Sequence, residues 1–188
     1  MPKAGLNRDA VVDLALALVD EKGLDALSLA AVAERAGVAS PSLYKHVGSL
    51  AVLRDLMSTR IMRRMTHAAS AAALGLSRDD AVAALMREYR AFVLAHPGWY
   101  ALLPLDPLHT PAESAEVAEA AMEFLQVFIS VLRGYGLDES QSIHAMRRLR
   151  AAVHGFAALQ SGGGFGMAEN IDTSYDQLID MVIASLPR

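Results

Sequence analysis

Apolar residues recur along this chain at steps of three and four, and no stretch alternates with period two, so the pattern predicts helices from end to end. Val12, Ala15, Leu16 and Val19 form one buried stripe on a helix that Asn7 caps and Gly23 closes after Lys22. Leu29, Val32, Ala33 and Ala36 form the stripe of a second, short helix, with Ser28 at its N-cap and Leu27 placed to staple onto Val32. Gly37 can take the left-handed conformation that stops it. After Val38 and Ala39, Ser40 is expected to cap a third helix with Pro41 at its first position. The second and third helices therefore read as a helix-turn-helix spanning Leu27 to Val47, and the first helix packs on it to make a unit of about 50 residues.

Gly48 ends the third helix, and Ser49 caps a long one carrying Leu53, Leu56, Met57, Ile61 and Met65, which loosens at Ala73-Leu74-Gly75. Ser77 and Asp80 mark the start of a helix that runs to Ala95, where His96-Pro97-Gly98 ends it, and Trp99 to Leu103 make one further turn. Pro104, Pro107 and Pro111 mark a loop. Pro111 opens a helix to Arg133 with Val117, Ala121, Phe124, Phe128 and Leu132 inward and Glu113, Glu116, Glu119 and Glu123 outward, stopped by Gly134 and Gly136. A helix from about Asp138 to Gln160 turns Ile143, Met146, Leu149, Val153 and Phe156 inward. The last helix, capped near Asp172 or Thr173, carries Tyr175, Leu178, Ile179, Val182 and Leu186 on one face. The expectation is an all-α chain of about nine helices: a helix-turn-helix domain over residues 1–53, joined by the long helix to a bundle over residues 54–188.

On the third helix, steps of 100° gather Leu43 and Val47 on one side, leave Pro41, Ser42 and Lys45 opposite, and put Tyr44 and His46 on the flanks. A small, polar outer face lets backbone approach base edges in a major groove while flanking donors reach phosphates. A solvated hairpin in some larger bundle would show the same caps and the same amphipathicity.

Composition narrows the field. No cysteine is present among 188 residues, which removes disulfides and thiolate metal sites and fits a reducing cytoplasm. No apolar leader or membrane-length apolar run is visible, so a soluble cytoplasmic protein is expected. The net charge of −4 is uneven: residues 1–64 hold nine Lys or Arg against seven Asp or Glu, whereas residues 65–188 hold eight against fourteen. The basic character is local to the hairpin and weak, so nucleic-acid contact would rest on geometry and a few phosphate contacts. Residues 1–6 read as a frayed arm whose Lys3 could trail near a phosphate backbone. The run Gly162-Gly163-Gly164 lacks the lysine, hydroxyl and preceding strand of a phosphate loop. No motif asks for a cofactor.

The stretches Leu-Ser-Leu-Ala-Ala-Val-Ala-Glu-Arg-Ala-Gly-Val, Pro-Ser-Leu-Tyr-Lys-His-Val and Leu-Arg-Asp-Leu resemble the DNA-binding signature of the TetR/AcrR family of one-component transcriptional regulators, over residues 8–57. The segment around His154-Gly155 is similar to a subgroup named for a Trp-His-Gly motif, although no tryptophan precedes His154. The resemblance implies that Ser40, Pro41, Ser42 and Lys45 face base edges and that Tyr44 and His46 clamp phosphates; among these, Lys45 is the residue suited to guanine acceptors. Three positions depart from the family pattern: Ala39 stands where serine is usual, Val47 where an aromatic is commoner, and Leu50 where a lysine reaches a phosphate.

A lone helix-turn-helix reads too few base pairs, so a homodimer on palindromic double-stranded DNA is expected. The helices at about 138–160 and 172–186 are the candidate dimer elements; Gly155 and Ala158 permit close approach, and the resemblance implies a four-helix bundle with the second copy. Tyr89, Trp99, Tyr100, Phe124, Phe128, Arg147, His154 and Phe156 are candidate linings for a small, mostly apolar effector that would release a repressor from its operator. Aromatic stripes also simply fill cores. The rival is a helical-bundle ligand-binding protein or enzyme without DNA binding, but His67, His96, His109, His144 and His154 lack the i, i+3 or i+4 pairing that bundle metal sites use, so no enzyme is expected. An activator, or a dimer serving only as an interaction module, stays open.

Overall fold

The computed structural model describes residues 6–104 and 115–187. Lys3, Pro107, His109, Pro111 and Glu113, and the expected helix start at Pro111, lie outside the described residues. Among these residues the chain forms nine α-helices and no strand: α1 (Arg8–Lys22), α2 (Leu29–Ala36), α3 (Ser40–Val47), α4 (Leu50–Ala73), α5 (Arg78–Ala95), α6 (Pro97–Leu102), α7 (Glu116–Leu132), α8 (Glu139–Ser161) and α9 (Ile171–Ala184). None of the described helices is long and apolar enough to cross a membrane. Two short 3-10 turns, Leu24–Ala26 and Arg133–Tyr135, carry no pattern of their own and were not anticipated.

Packing groups the chain differently from a cut after residue 53. One compact unit takes the residues up to Met62 together with His96–Ala121, and the other takes Arg63–Ala95 and Met122–Arg188. Helices α4 and α7 thus contribute to both, and α6 belongs with α1 to α3.

In the first unit the caps work as the local sequence dictates. The Ala10 amide donates to the Asn7 side chain at 2.8 Å and the Ala31 amide to Ser28 Oγ at 3.1 Å. Val11, Val12, Ala15, Leu16 and Val19 of α1, Val32 and Ala33 of α2, Leu43 and Val47 of α3, and Leu53, Met57 and Ile61 of α4 are all buried. Ion pairs tie the rims of α1: Arg35 of α2 donates twice to Glu21, at 2.6 and 2.5 Å, and Arg60 of α4 reaches Asp13 at 2.8 Å and Asp9 at 2.5 Å. The hydrogen bond from Arg35 holds the Glu21 carboxyl below its ordinary range.

The second unit is built from α5 packed on α8 and α9. The core of α8 follows Ala145, Leu149, Val153 and Ala157, while Ile143, Met146 and Phe156 are only half-buried. The expected stripe of bulky residues is therefore shifted, with alanines among the most deeply buried positions, a pattern that suits a close helix–helix approach. Tyr175 of α9 is fully buried and its hydroxyl donates to the Met86 carbonyl of α5 at 2.5 Å; desolvation raises the pKa of this phenol. A capping box of Asp138 and Gln141 opens α8. Helix α9 starts at Ile171, capped by Asn170 rather than by Asp172 or Thr173; the Thr173 amide donates to the Asn170 side chain at 3.0 Å. Asn170, Asp172 and Thr173 are all residue types that can cap, and the earliest of them does so.

Candidate nucleic-acid interface

The turn between α2 and α3 closes by two backbone bonds. The Gly37 amide donates to the Glu34 carbonyl at 3.0 Å and the Val38 amide to the Ala33 carbonyl at 3.1 Å. This is the paired pattern of a Schellman motif, and it requires the left-handed Gly37, whose φ is 68°. The expected cap on α3 is corrected: Ala39 holds the N-cap position with extended backbone, no side chain caps the helix, and Ser40 lies inside the first turn with Pro41. The Ser42 amide donates to the Ala39 carbonyl at 2.8 Å instead. Proline supplies the preset φ that the missing side-chain bond would otherwise help to fix.

Two anchors hold α3 in the unit. Leu43 is 0% exposed and Val47 1%, at the i, i+4 spacing of a single face. Away from that face the same helix presents Tyr44, at 55% exposure, and Lys45, with Pro41 also exposed and Ser40, Ser42 and His46 half-buried. All six candidate DNA-facing residues thus fall within eight consecutive positions on a backbone fixed at both ends. At the far end Gly48, with φ 57°, breaks the helix, and the Val52 amide donates to Ser49 Oγ at 3.1 Å to start α4.

The eight candidate effector-lining residues do not gather in one place. Trp99 and Tyr100 lie in the first unit. Trp99 is buried there: its indole N–H donates to the Leu16 carbonyl at 2.9 Å and its ring stacks on His96 at 3.9 Å. Six lie in the second unit. Tyr89, Phe124 and Phe128 form a ring cluster with centroids 5.2 to 6.3 Å apart. Phe156 packs on Phe165 and Tyr175 at 4.7 and 4.8 Å. His154 is half-buried, and desolvation followed by the charge of Arg150 depresses its pKa, while Arg147 is exposed.

A groove of about 640 Å³ in the second unit is lined by Thr66, Ser70 and Ala73 of α4, Leu74 to Ser77 of the following loop, Arg78 and Ala81 of α5, Glu123, Gln126, Val127, Ser130 and Val131 of α7, and Gly134. None of the eight aromatic, Arg or His candidates lines it. Sequence reasoning weighted bulky rings and missed the small polar pairs Thr66/Ser70 and Gln126/Ser130, whose four-residue spacing places each pair on one helix face. Among the described residues no group of three or more His, Cys, Asp or Glu is arranged to hold a metal ion.

A capped three-helix unit that turns an outward polar helix face to solvent is a helix-turn-helix domain. Residues 11–49 match the family described as bacterial regulatory proteins, tetR family, and residues 82–182 match the tetracyclin repressor-like C-terminal domain. The HTH-type transcriptional regulator Rv0681 of Mycobacterium tuberculosis is 34% identical over 170 residues, which cover 90% of this chain and 76% of that protein. A protein of unknown function from Rhodococcus sp. RHA1 shares the fold at a TM-score of 0.86 and 24% identity over all of both chains. BioQ, in complex with its double-stranded DNA operator, shares it at 0.66 and 18% over 95% of this chain and 99% of that one. The chain belongs to the tetR family; it is a transcriptional regulator with an N-terminal helix-turn-helix DNA-binding domain and a C-terminal domain of the same family.

Proposed function

We propose that the protein is a cytoplasmic repressor, without enzymatic activity, that binds a palindromic operator as a homodimer and is released by a small, mostly apolar effector. The carrying observation is α3 itself: Leu43 and Val47 are completely buried while Tyr44 and Lys45 project from a helix whose ends are fixed by Gly37 and Gly48. A helix held this way presents base-edge and phosphate donors without paying for ordering at the moment of binding. Tyr44 and His46 would position the helix on phosphates, with Ser40, Pro41 and Ser42 allowing close approach and Lys45 reading guanine acceptors.

Dimerisation through α8 and α9 is supported by their outward faces. Leu159 is 55% exposed and Met181 61%, and Ala151 and Ala158 stand in solvent on α8. A Cβ added at Gly155 would meet nothing within 4 Å, so packing inside the chain gives no reason for a glycine there, whereas close approach of a second helix does. The groove along α4 and α7 and the Tyr89–Phe124–Phe128 ring cluster are two candidate effector sites in the second unit, the groove having the volume of a small-molecule site. Occupation would lower operator affinity only if the effector binds the released conformation more tightly than the bound one.

Selection of bound duplexes from a random DNA pool, with the mass of the protein in solution measured alongside, tests this reading. Enrichment of a palindrome by a dimer, with affinity falling steeply as salt rises, supports it. A monomer, or binding to no duplex, removes it and favours the helical-bundle alternative.

A further inference from the structure

The chain is acidic overall, so its contact with DNA depends on which cations remain uncommitted. In the first unit the guanidinium groups of Arg35 and Arg60 are both engaged, the first twice by Glu21 and the second by Asp9 and Asp13. Paired in this way they have little to offer a phosphate, since exchanging a carboxylate partner for a phosphate gains little. Lys45 on α3 and Arg54 on α4 are both exposed and, among the described residues, pair with no carboxylate.

Arg54 sits at a particular place. Only Gly48 and Ser49 separate the end of α3 from the start of α4. Four residues at 100° and 1.5 Å each place Arg54 about 40° round and about 6 Å beyond Leu50, on the first turns next to the end of α3. Further along the same face, Ser58 is 4% exposed and Met62 5%. Covering of this row thus begins one turn after Arg54, which is the exposed position on it beside the end of the reading helix.

We infer that Arg54 is a DNA-phosphate anchor of the reading unit, acting independently of sequence beside the base-reading Lys45. It rests on the operator binding proposed above. A guanidinium with five donors on a rigid, capped helix is suited to a phosphate, and one such contact per subunit neutralises one charge and releases the counterions condensed on it.

The test uses the full chain, a duplex recovered from a random pool by the unmodified protein, and the same duplex with its sequence scrambled, titrated by fluorescence anisotropy between 50 and 200 mM salt. R54A is expected to fold with an unchanged melting temperature, to weaken both duplexes by the same factor, and to lower the slope of log affinity against log salt by about 1 per subunit. R54K should restore the slope, and so should L50K in the R54A background, because Leu50 lies one turn nearer α3 on the same side. An unchanged slope in R54A overturns the inference. So does a loss confined to the selected duplex, which would make Arg54 a base reader, or an equal loss in Lys22→Ala, which would make the effect one of general charge. If the unmodified chain retains no duplex, operator binding itself falls and takes this inference with it, whereas an unchanged R54A slope removes Arg54 alone.

Discussion

In the first unit the side chains offered for binding stand outside a core that merely holds them, whereas in the second the distinctive side chains are the core. Tyr44 is more than half exposed and Leu43 beside it not at all, so frame and function separate within one helical turn. Tyr89, Phe128 and Tyr175 are buried and packed on other rings or bonded to backbone, so there a single residue would have to hold the fold and meet a ligand together. An outward helix face can change its specificity without disturbing stability. A sensor made from core rings cannot, and the small polar lining of the α4–α7 groove escapes that conflict because Ser70, Gln126 and Ser130 are exposed.

Substitutions sharpen this contrast, beginning with the largest effect. Trp99→Ala removes a buried aromatic and its bond to the Leu16 carbonyl, and should destabilise by about 3–5 kcal/mol in chemical denaturation; a loss below about 1 kcal/mol would place Trp99 outside the frame of the first unit. Gly98→Ala puts a Cβ 2.8 Å from Val19 Cγ1 and should cost about 1–3 kcal/mol in the same assay. Tyr175→Phe keeps the ring but deletes the hydroxyl bonded to the Met86 carbonyl, at about 1 kcal/mol. Ser28→Ala should likewise lose about 1 kcal/mol, and Ser40→Ala under about 0.5 kcal/mol, since only Ser28 makes a capping bond. Equal losses for the two serines would return the cap of α3 to Ser40.

The smallest effect is on pH dependence. The folded-state pKa of His154 lies below its unfolded value, so protons bind the unfolded chain more readily. Stability should be unaffected well above the ordinary histidine range and should decline as pH falls through it, the decline ending below the folded pKa. His154→Gln should flatten that part of a melting-temperature profile; a variant that keeps the full slope would assign it to another group.

The elements that could be read directly were those closed by bonds between near neighbours in sequence. Asn7 and Ser28 each cap through an amide three residues on, and the left-handed Gly37 stops α2, its own amide bonding Glu34 and that of Val38 bonding Ala33. Nothing beyond a short window is needed to see them. The candidate DNA-facing residues shared that advantage, because one helical wheel separates Tyr44 and Lys45 from Leu43 and Val47. Ala39 escaped because the Schellman turn before it and Pro41 after it fix its backbone, leaving the side chain nothing to do. The inward line of α8 escaped because how closely it meets α5 is a tertiary property, and Ala145 and Ala157 look unremarkable in a periodicity of bulky residues. Pairing Trp99 with Leu16 joins residues far apart in sequence, which no local pattern foretells. The groove was hidden for the same reason: Ser70 and Ser130 read as ordinary solvated positions until α4 and α7 place them along one surface.

Separation of reading face from frame on α3 is most directly tested by sequencing the duplexes that the unmodified chain and Lys45→Ala recover from one random pool. The expected result is a palindrome whose preference relaxes at one symmetric pair of positions in the variant, with discrimination there falling by about 1–3 kcal/mol and the melting temperature unchanged. Identical recovered sites from both proteins would contradict it and put the reading face elsewhere.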